Sequence, residues 1–334
     1  MSRFRLTAFV PLLAAAMTPL FGGPAAHAAA PLSVIGFQEA GDRPGLIDAS
    51  APGLTSVGVD GVNLDTGGDA ISSPGSRARA QLARAHTDGL TAVLLIGNFD
   101  ESIEDFNEST AYALLGSRSH IAAVANQLAS FVVSQGWDGV SVDLEALLRR
   151  DAPGLVEFLR ALRADLPAQD TVNVDVTNYP SRAKMLAAGY DLPDIAAAVD
   201  EFTLMAYDEH GPWEKRPGPV ASLGWTRHGL ATVLGSVPAA KVDLGVAGYG
   251  YVWRAHQRFQ VSDEEARRLV SEEGTGARFD QAVGEWTASL RDGARIWWSD
   301  ARSFALWAAV ASEAGLHGLA VWSLALSDPI TASG

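Results

Sequence analysis

The feature that most restricts what this chain can become is an alternation of short apolar runs with longer amphipathic stretches. It continues without a linker from Pro31 to near the C-terminus. The runs occupy 32–37, 55–59, 91–96, 139–144, 171–176, 202–206, 242–247 and 318–322, and each is short enough for a buried strand. Helical patterns lie between them, among them 121–135, 154–166, 225–234 and 303–314. Strands and helices alternating in one piece predict an α/β fold, the (β/α)8 TIM barrel. A doubly wound open sheet is the rival, but no Gly-rich nucleotide fingerprint follows the first strand.

Two irregularities qualify that expectation. The stretch from about 254 to 301 is too long for a simple crossover. It carries a charged helical segment, Asp263 to Glu273, and a strand-like Arg295-Ile-Trp-Trp298. We expect a small α+β insertion after the seventh strand. Only a dozen residues follow Trp322, too few for a full eighth helix. The last helix should be short or missing, and the barrel closed by a turn or by the N-terminal segment.

Residues 1–30 read as an address. Arg3 and Arg5 precede an apolar run, Leu6 to Phe21, broken by Pro11 and Pro19, and Ala26-His27-Ala28 offers small residues at a cleavage site. The run is short for a membrane span of about 20 residues, although an uncleaved anchor is the alternative. The expectation is an exported chain, periplasmic or secreted, whose residues 31–334 form a single barrel. With 48% hydrophobic residues, wholesale disorder is out. With no Cys there is no disulfide framework, thiolate zinc site or Cys nucleophile. A net charge of −14 makes nucleic acid and anionic membrane poor partners. Oligomeric state leaves no trace in the sequence.

The fourth run, Asp138-Gly-Val-Ser-Val-Asp-Leu-Glu145, alternates strictly. Val140, Val142 and Leu144 should face the helices, while Ser141, Asp143 and Glu145 face the barrel interior and rise toward its C-terminal mouth. Residues two apart on a strand are about 6.5–7 Å apart, close enough for two carboxylates to interact. Burial and mutual repulsion then separate their pKa values, so that one serves as an acid while the other stays charged. An internal polar plug, satisfied by its neighbours, would show the same alternation.

This run resembles the Asp-Gly-x-Asp-x-Asp-x-Glu signature of glycoside hydrolase family 18, the chitinase-like barrels. Leu204-Met-Ala-Tyr-Asp-Glu-His210 resembles that family's sixth-strand motif. Pro217-Gly-Pro-Val-Ala-Ser-Leu-Gly-Trp225 is similar to a bacterial branch that acts on spore cortex and peptidoglycan fragments. Val246-Ala-Gly-Tyr-Gly-Tyr251 and Gly318-Leu-Ala-Val-Trp322 resemble the seventh and eighth strands. The matches stand in family order over about the last two-thirds of the chain.

The resemblance implies a retaining glycosidase that uses the substrate's own 2-acetamido group as nucleophile, one of the exceptions to the two-carboxylate scheme. Glu145 would be the general acid, Asp143 would stabilise the acetamide N–H, and Tyr207 would hold its carbonyl. Trp322 would floor the reacting sugar, and small Gly318 and Ala320 on its face leave room beneath it. Met205 and Tyr207 share a face and so point inward together, while Asp208 would meet sugar hydroxyls. Tyr249, at the end of the seventh strand, and Trp213, in the loop after the sixth, are further candidate contacts, with core packing the equal alternative for Tyr249 and an isolated exposed aromatic for Trp213.

Ser141 replaces an acid usual in chitinases. Its loss should remove a negative neighbour and make Asp143 easier to ionise. His210 is expected to be a hydrogen-bonding partner, since the seven histidines show no His-x-His or His-Glu-x-x-His ligand spacing. No metal or organic cofactor is implied. The partner is an oligosaccharide or polysaccharide containing N-acetylglucosamine, with cell-wall fragments placed first and chito-oligosaccharides second. A non-catalytic sugar-binding barrel is the alternative; such relatives commonly lack the acid that Glu145 supplies here.

Overall fold

A computed structural model describes residues 31–331. The expected export signal lies outside the described residues.

Eight parallel strands close a barrel: β1 (Ser33–Glu39), β2 (Ser56–Asn63), β3 (Thr91–Gly97), β4 (Gly139–Asp143), β5 (Thr171–Thr177), β6 (Glu201–Met205), β7 (Val242–Ala247) and β8 (Gly318–Trp322). Each coincides with one of the eight apolar runs, because only such a run can be buried on both faces of a helix-covered parallel sheet. β1 pairs directly with β8, from Ser33 against Gly318 to Gly36 against Val321. Among the described residues no helix follows β8. The chain turns through Ser323–Ser327 and runs back along the outside of β1, with Leu324 packed over Gly36 and the Ile330 amide donating to Ser50 Oγ at 3.1 Å.

The surrounding helices begin two or three residues before their apolar periodicity does. They span Arg118–Gln135, Ala152–Asp165, Leu223–Leu234 and Ala301–Ala314. In three of them a capping side chain sets the start: Ser117, Ser222 and Asp300 each accept a backbone amide of the first turn.

The outward side chains of the strands, including Val140, Val142, Leu144, Val172, Val174 and Val176, join the helices in one continuous core. Leu144 is 1% exposed, so its truncation to alanine should cost about 2–5 kcal/mol. The barrel interior is divided. Ile35, Phe37, Val93, Leu95 and Ala320 make one side apolar. Ser141, Asn173, Asp175, Thr203 and Asp243, all buried, make the other side polar.

The insertion begins earlier than the sequence suggested. β7 ends at Ala247, and Tyr249–Trp253 already belongs to a five-stranded antiparallel sheet with Arg258–Ser262, Arg295–Trp298, Glu285–Ser289 and Ala277–Asp280. Helix Asp263–Glu272 packs Ala266 and Val270 onto this sheet, against Val252, Ile296 and Trp298, giving the insertion its own small core.

Candidate active site

A cleft of about 550 Å³ opens at the C-terminal ends of the barrel strands. Its floor and walls include Asp143, Glu145, Met205, Tyr207, Tyr249 and Trp322. The structure thus gathers residues from β4, β6 and β8 that are far apart in the chain.

Glu145 lies two residues past the end of β4 and is held through its backbone. Asn98, 1% exposed and next to the end of β3, accepts the Glu145 amide at Oδ1 (2.9 Å) and donates from Nδ2 to the Glu145 carbonyl (3.0 Å). The Tyr190 hydroxyl donates to the Leu144 carbonyl at 3.1 Å. Ala146 then takes φ 57°, turning the chain sharply away. With the backbone fixed, the carboxyl projects into the cleft, where the Thr177 hydroxyl donates to Oε2 at 3.2 Å. Burial pushes the Glu145 pKa up to about 7, with smaller contributions from Asp208, Asp175 and Asp105; the Thr177 hydrogen bond works against them. A carboxylic acid that keeps its proton near neutrality is suited to general-acid work.

Asp143 sits below it on the same strand face. Burial, and then the charges of Glu145, Asp175 and Asp60, hold its pKa well above the usual carboxylate range. This corrects the expectation that Ser141 leaves Asp143 without a second carboxyl beside it, because Asp175 supplies one. Ser141 is fully buried and donates its hydroxyl to Asp175 Oδ2 at 2.9 Å. The negative neighbour has moved one strand over rather than vanished.

On β6, Met205 is buried and Tyr207 follows it on the same face, both lining the cleft. Gly245 makes room for them: a Cβ there would lie 2.6 Å from the Leu204 carbonyl oxygen and 3.1 Å from the Tyr207 ring. Trp322 tilts against Phe37 at 5.9 Å between centroids, above Ala320. Asp208 adopts φ 64°, and its Oδ1 accepts the hydroxyls of Tyr249 (2.7 Å) and Tyr251 (2.8 Å). Tyr249 therefore stands in the insertion rather than at the end of β7. It lines the cleft, but its hydroxyl is committed to Asp208. Trp213 is 61% exposed and packs edge-on against Tyr251, outside the cleft lining. His210 donates from Nδ1 to the Pro219 carbonyl at 3.2 Å, closing the loop after β6.

That loop is also held from the insertion. Glu285, fully buried, accepts the amides of Val220 (2.9 Å) and Ala221 (2.6 Å) and the Ser299 hydroxyl (3.3 Å). Asn98, Asp175, Tyr251 and Glu285 were not singled out from the sequence. Among the described residues one group of side chains has metal-ligand chemistry: Glu201, Asp243 and His317. It lies at the opposite end of the barrel from the cleft. There His317 Nδ1 is 2.8 Å from Asp243 Oδ1, a hydrogen-bond length, so the ring is read as an ion-pair partner.

A carboxylic acid kept protonated near neutral pH, beside a tryptophan floor at the mouth of a (β/α)8 barrel, is the equipment of a glycosidase. The chain matches the model of glycosyl hydrolases family 18 over residues 51–326 and belongs to that family. It is 22% identical to the uncharacterized glycosylase YvbX of Bacillus subtilis, over 81% of this chain and 80% of that one. It is 24% identical to the cortical fragment-lytic enzyme of the same organism, over 84% of this chain and 67% of the relative. Among solved structures, a chitinase from Chromobacterium violaceum superposes with a TM-score of 0.78 at 25% identity, covering 89% of this chain and 95% of the other.

Proposed function

We propose that this protein is a retaining glycosidase that cleaves β-linked N-acetylglucosamine glycans, with the substrate's acetamide oxygen attacking C1. The observation that carries this reading is the placement of Glu145, buried and with its pKa pushed up to about 7, directly up-strand from Asp143, with Tyr207 and Trp322 in the same cleft. Glu145 protonates the departing glycosidic oxygen and then, as carboxylate, activates the water that opens the oxazolinium-type intermediate. Asp143 stabilises the acetamide N–H as positive charge develops on it, and Tyr207 aligns the carbonyl for attack. Trp322 supplies an apolar face for the pyranose, and Asp208, fixed by two tyrosine hydroxyls, meets a sugar hydroxyl.

The charge of the cleft refines the substrate. Six carboxyl residues line it, Glu39, Asp60, Glu101, Asp143, Glu145 and Asp208, and among the described residues no Lys, Arg or His does. A glycan carrying free lactyl or peptide carboxylates would meet more carboxyl groups there and no cation to pair with. An uncharged run of N-acetylglucosamine units would not. Chito-oligosaccharides therefore move ahead of carboxylate-bearing cell-wall fragments, reversing the order that the sequence resemblance suggested. We place the site of action outside the cytoplasm on the strength of the leader-like residues 1–30, to be checked by N-terminal sequencing of the protein recovered from periplasm and medium.

The test is turnover of a fluorogenic N-acetylglucosamine oligomer by the wild type and by Glu145→Gln, with the product anomer read by NMR. Turnover by the wild type alone, giving the β-anomer first, supports the proposal. Equal, near-zero rates with sugar binding retained would make the protein a non-catalytic sugar-binding barrel.

A further inference from the structure

The ladder between β4 and β5 pairs Ser141 with Asn173 and Val142 with Val174. The next residues in that register are Asp143 and Asp175. Because Val142 and Val174 pack outward, both acids turn into the barrel, on neighbouring strands about 4.8 Å apart. Asp175 is 3% exposed. Its Oδ2 accepts the Ser141 hydroxyl, and Thr203 on β6 is a second hydroxyl donor to it. Among the described residues its Oδ1 has no partner, and neither does Oδ1 of Asp143; both atoms are buried.

Among the described residues, the groups around this pair supply no cation. Ser141 and Glu145 stand on the β4 side, Asn173 on β5, Thr203 and Tyr207 on the β6 side, and Asp243 on β7; Asp60 on β2 acts on Asp143 from across the cleft. Two adjacent buried carboxylates without a counter-ion cannot both ionise, and the stable arrangement is one negative charge with one proton between them. Two orphan oxygens on neighbouring strands are where that proton would lie.

We infer that Asp175 is a positioning residue that shares one proton with Asp143, so that β5 supplies the second carboxyl of a buried pair whose other member touches the substrate. This rests on the function proposed above. In the resting pair the hydroxyls of Ser141 and Thr203 stabilise the charge on Asp175, and Asp143 carries the proton. As positive charge develops on the substrate's acetamide nitrogen, the O–H bond of Asp143 breaks and one forms at Asp175 Oδ1. The pair keeps its single negative charge, which moves from Asp175 to Asp143, beneath the developing cation. Neither residue is oxidised or reduced, and no proton leaves the site.

The experiment combines carboxyl-carbon NMR titration of the free wild-type protein with pH profiles of kcat/KM for Asp175→Asn and for Ser141→Asp combined with Asp175→Ser. In the wild type, the Asp143 and Asp175 signals should titrate together in two separated steps. Asp175→Asn should cut kcat about 100-fold and move the acidic limb to higher pH, because a lone buried carboxylate replaces a monoanion stabilised by a shared hydrogen. The double variant, which returns the acid to β4, should recover at least tenfold of that loss, which a merely structural role for Asp175 would not produce. Independent one-step titrations of the two acids, or an unmoved acidic limb in Asp175→Asn, would overturn the inference. A wild type inactive on every acetamido glycan would sink the proposed function instead, and the NMR titration would still decide whether the proton is shared.

Discussion

Asn98 holds Glu145 from both sides, its side-chain oxygen on the amide hydrogen and its side-chain nitrogen on the carbonyl of the same residue. The carboxyl proposed as the acid is thus aimed through its own main chain by a residue 47 positions away.

Replacing Asn98 by Ala should leave two buried backbone groups unpaired and cost about 1–3 kcal/mol of stability. The misdirected acid should lose about tenfold or more in kcat with KM little changed. Asn98→Asp keeps the acceptor but loses the donor, and should fall between the two. Denaturant unfolding and steady-state kinetics on the same preparations check both.

The acid's proton sets the alkaline side of the pH profile. Glu145 titrates at about 7 in the free protein, so kcat/KM should decline as pH rises through that value. The Thr177 hydroxyl stabilises the charged form. Thr177→Val should therefore raise the Glu145 pKa and move the alkaline limb to higher pH. A limb unmoved in Thr177→Val, or moved downward, would contradict the assignment.

Tyr249 and Tyr251 should matter through Asp208 alone if their hydroxyls serve only to fix that carboxylate. Replacing both by Phe is expected to raise KM about tenfold, equivalent to about 1.4 kcal/mol of binding. Adding Asp208→Asn to that pair should cost no more than Asp208→Asn costs in the wild type, since residues acting as one unit are not additive. A fully additive triple variant would show that the tyrosines have a separate role.

At the base of the barrel, His317 has a raised pKa, chiefly from its hydrogen bond to Asp243 and opposed by burial. A base whose pKa is higher folded than unfolded stabilises fully below the unfolded value, about 6.5, and loses that contribution as pH rises through the folded value. His317→Gln should therefore lower Tm by a few degrees at pH 5.5 and by much less at pH 9. Differential scanning at the two pH values decides it, and an equal penalty at both would count against the ion pair.

What could be read from the sequence depended on whether the signal was local. The barrel was legible because all eight strands must be apolar outward, and the acids of β4 were legible because strict alternation assigns Asp143 and Glu145 to one face. Asn98 gave no such signal: it follows an ordinary apolar strand, and its task exists only once β3 and β4 lie side by side. Asp175 was readable in principle. Thr171-Val-Asn-Val-Asp-Val-Thr177 alternates as cleanly as β4 does, yet its neighbour on β4 comes from the pairing register and not from the run. Tyr249 was misplaced for a third reason. Val-Ala-Gly-Tyr-Gly-Tyr reads as one strand, and the break after Ala247 is set by close packing, since a Cβ on Gly248 would lie 2.4 Å from Ser327.

The insertion has a core of its own, and it meets the cleft at two places: Glu285 grips two peptide N–H groups of the loop after β6, and Tyr249 and Tyr251 hold Asp208. The proposed acids stand on the staves, whereas part of the trough's rim, Tyr249 included, is carried by the insertion. Selection, or an engineer, could vary the outer strands of that piece to change which oligomer lengths are accepted, provided Tyr249, Tyr251 and Glu285 keep their grip.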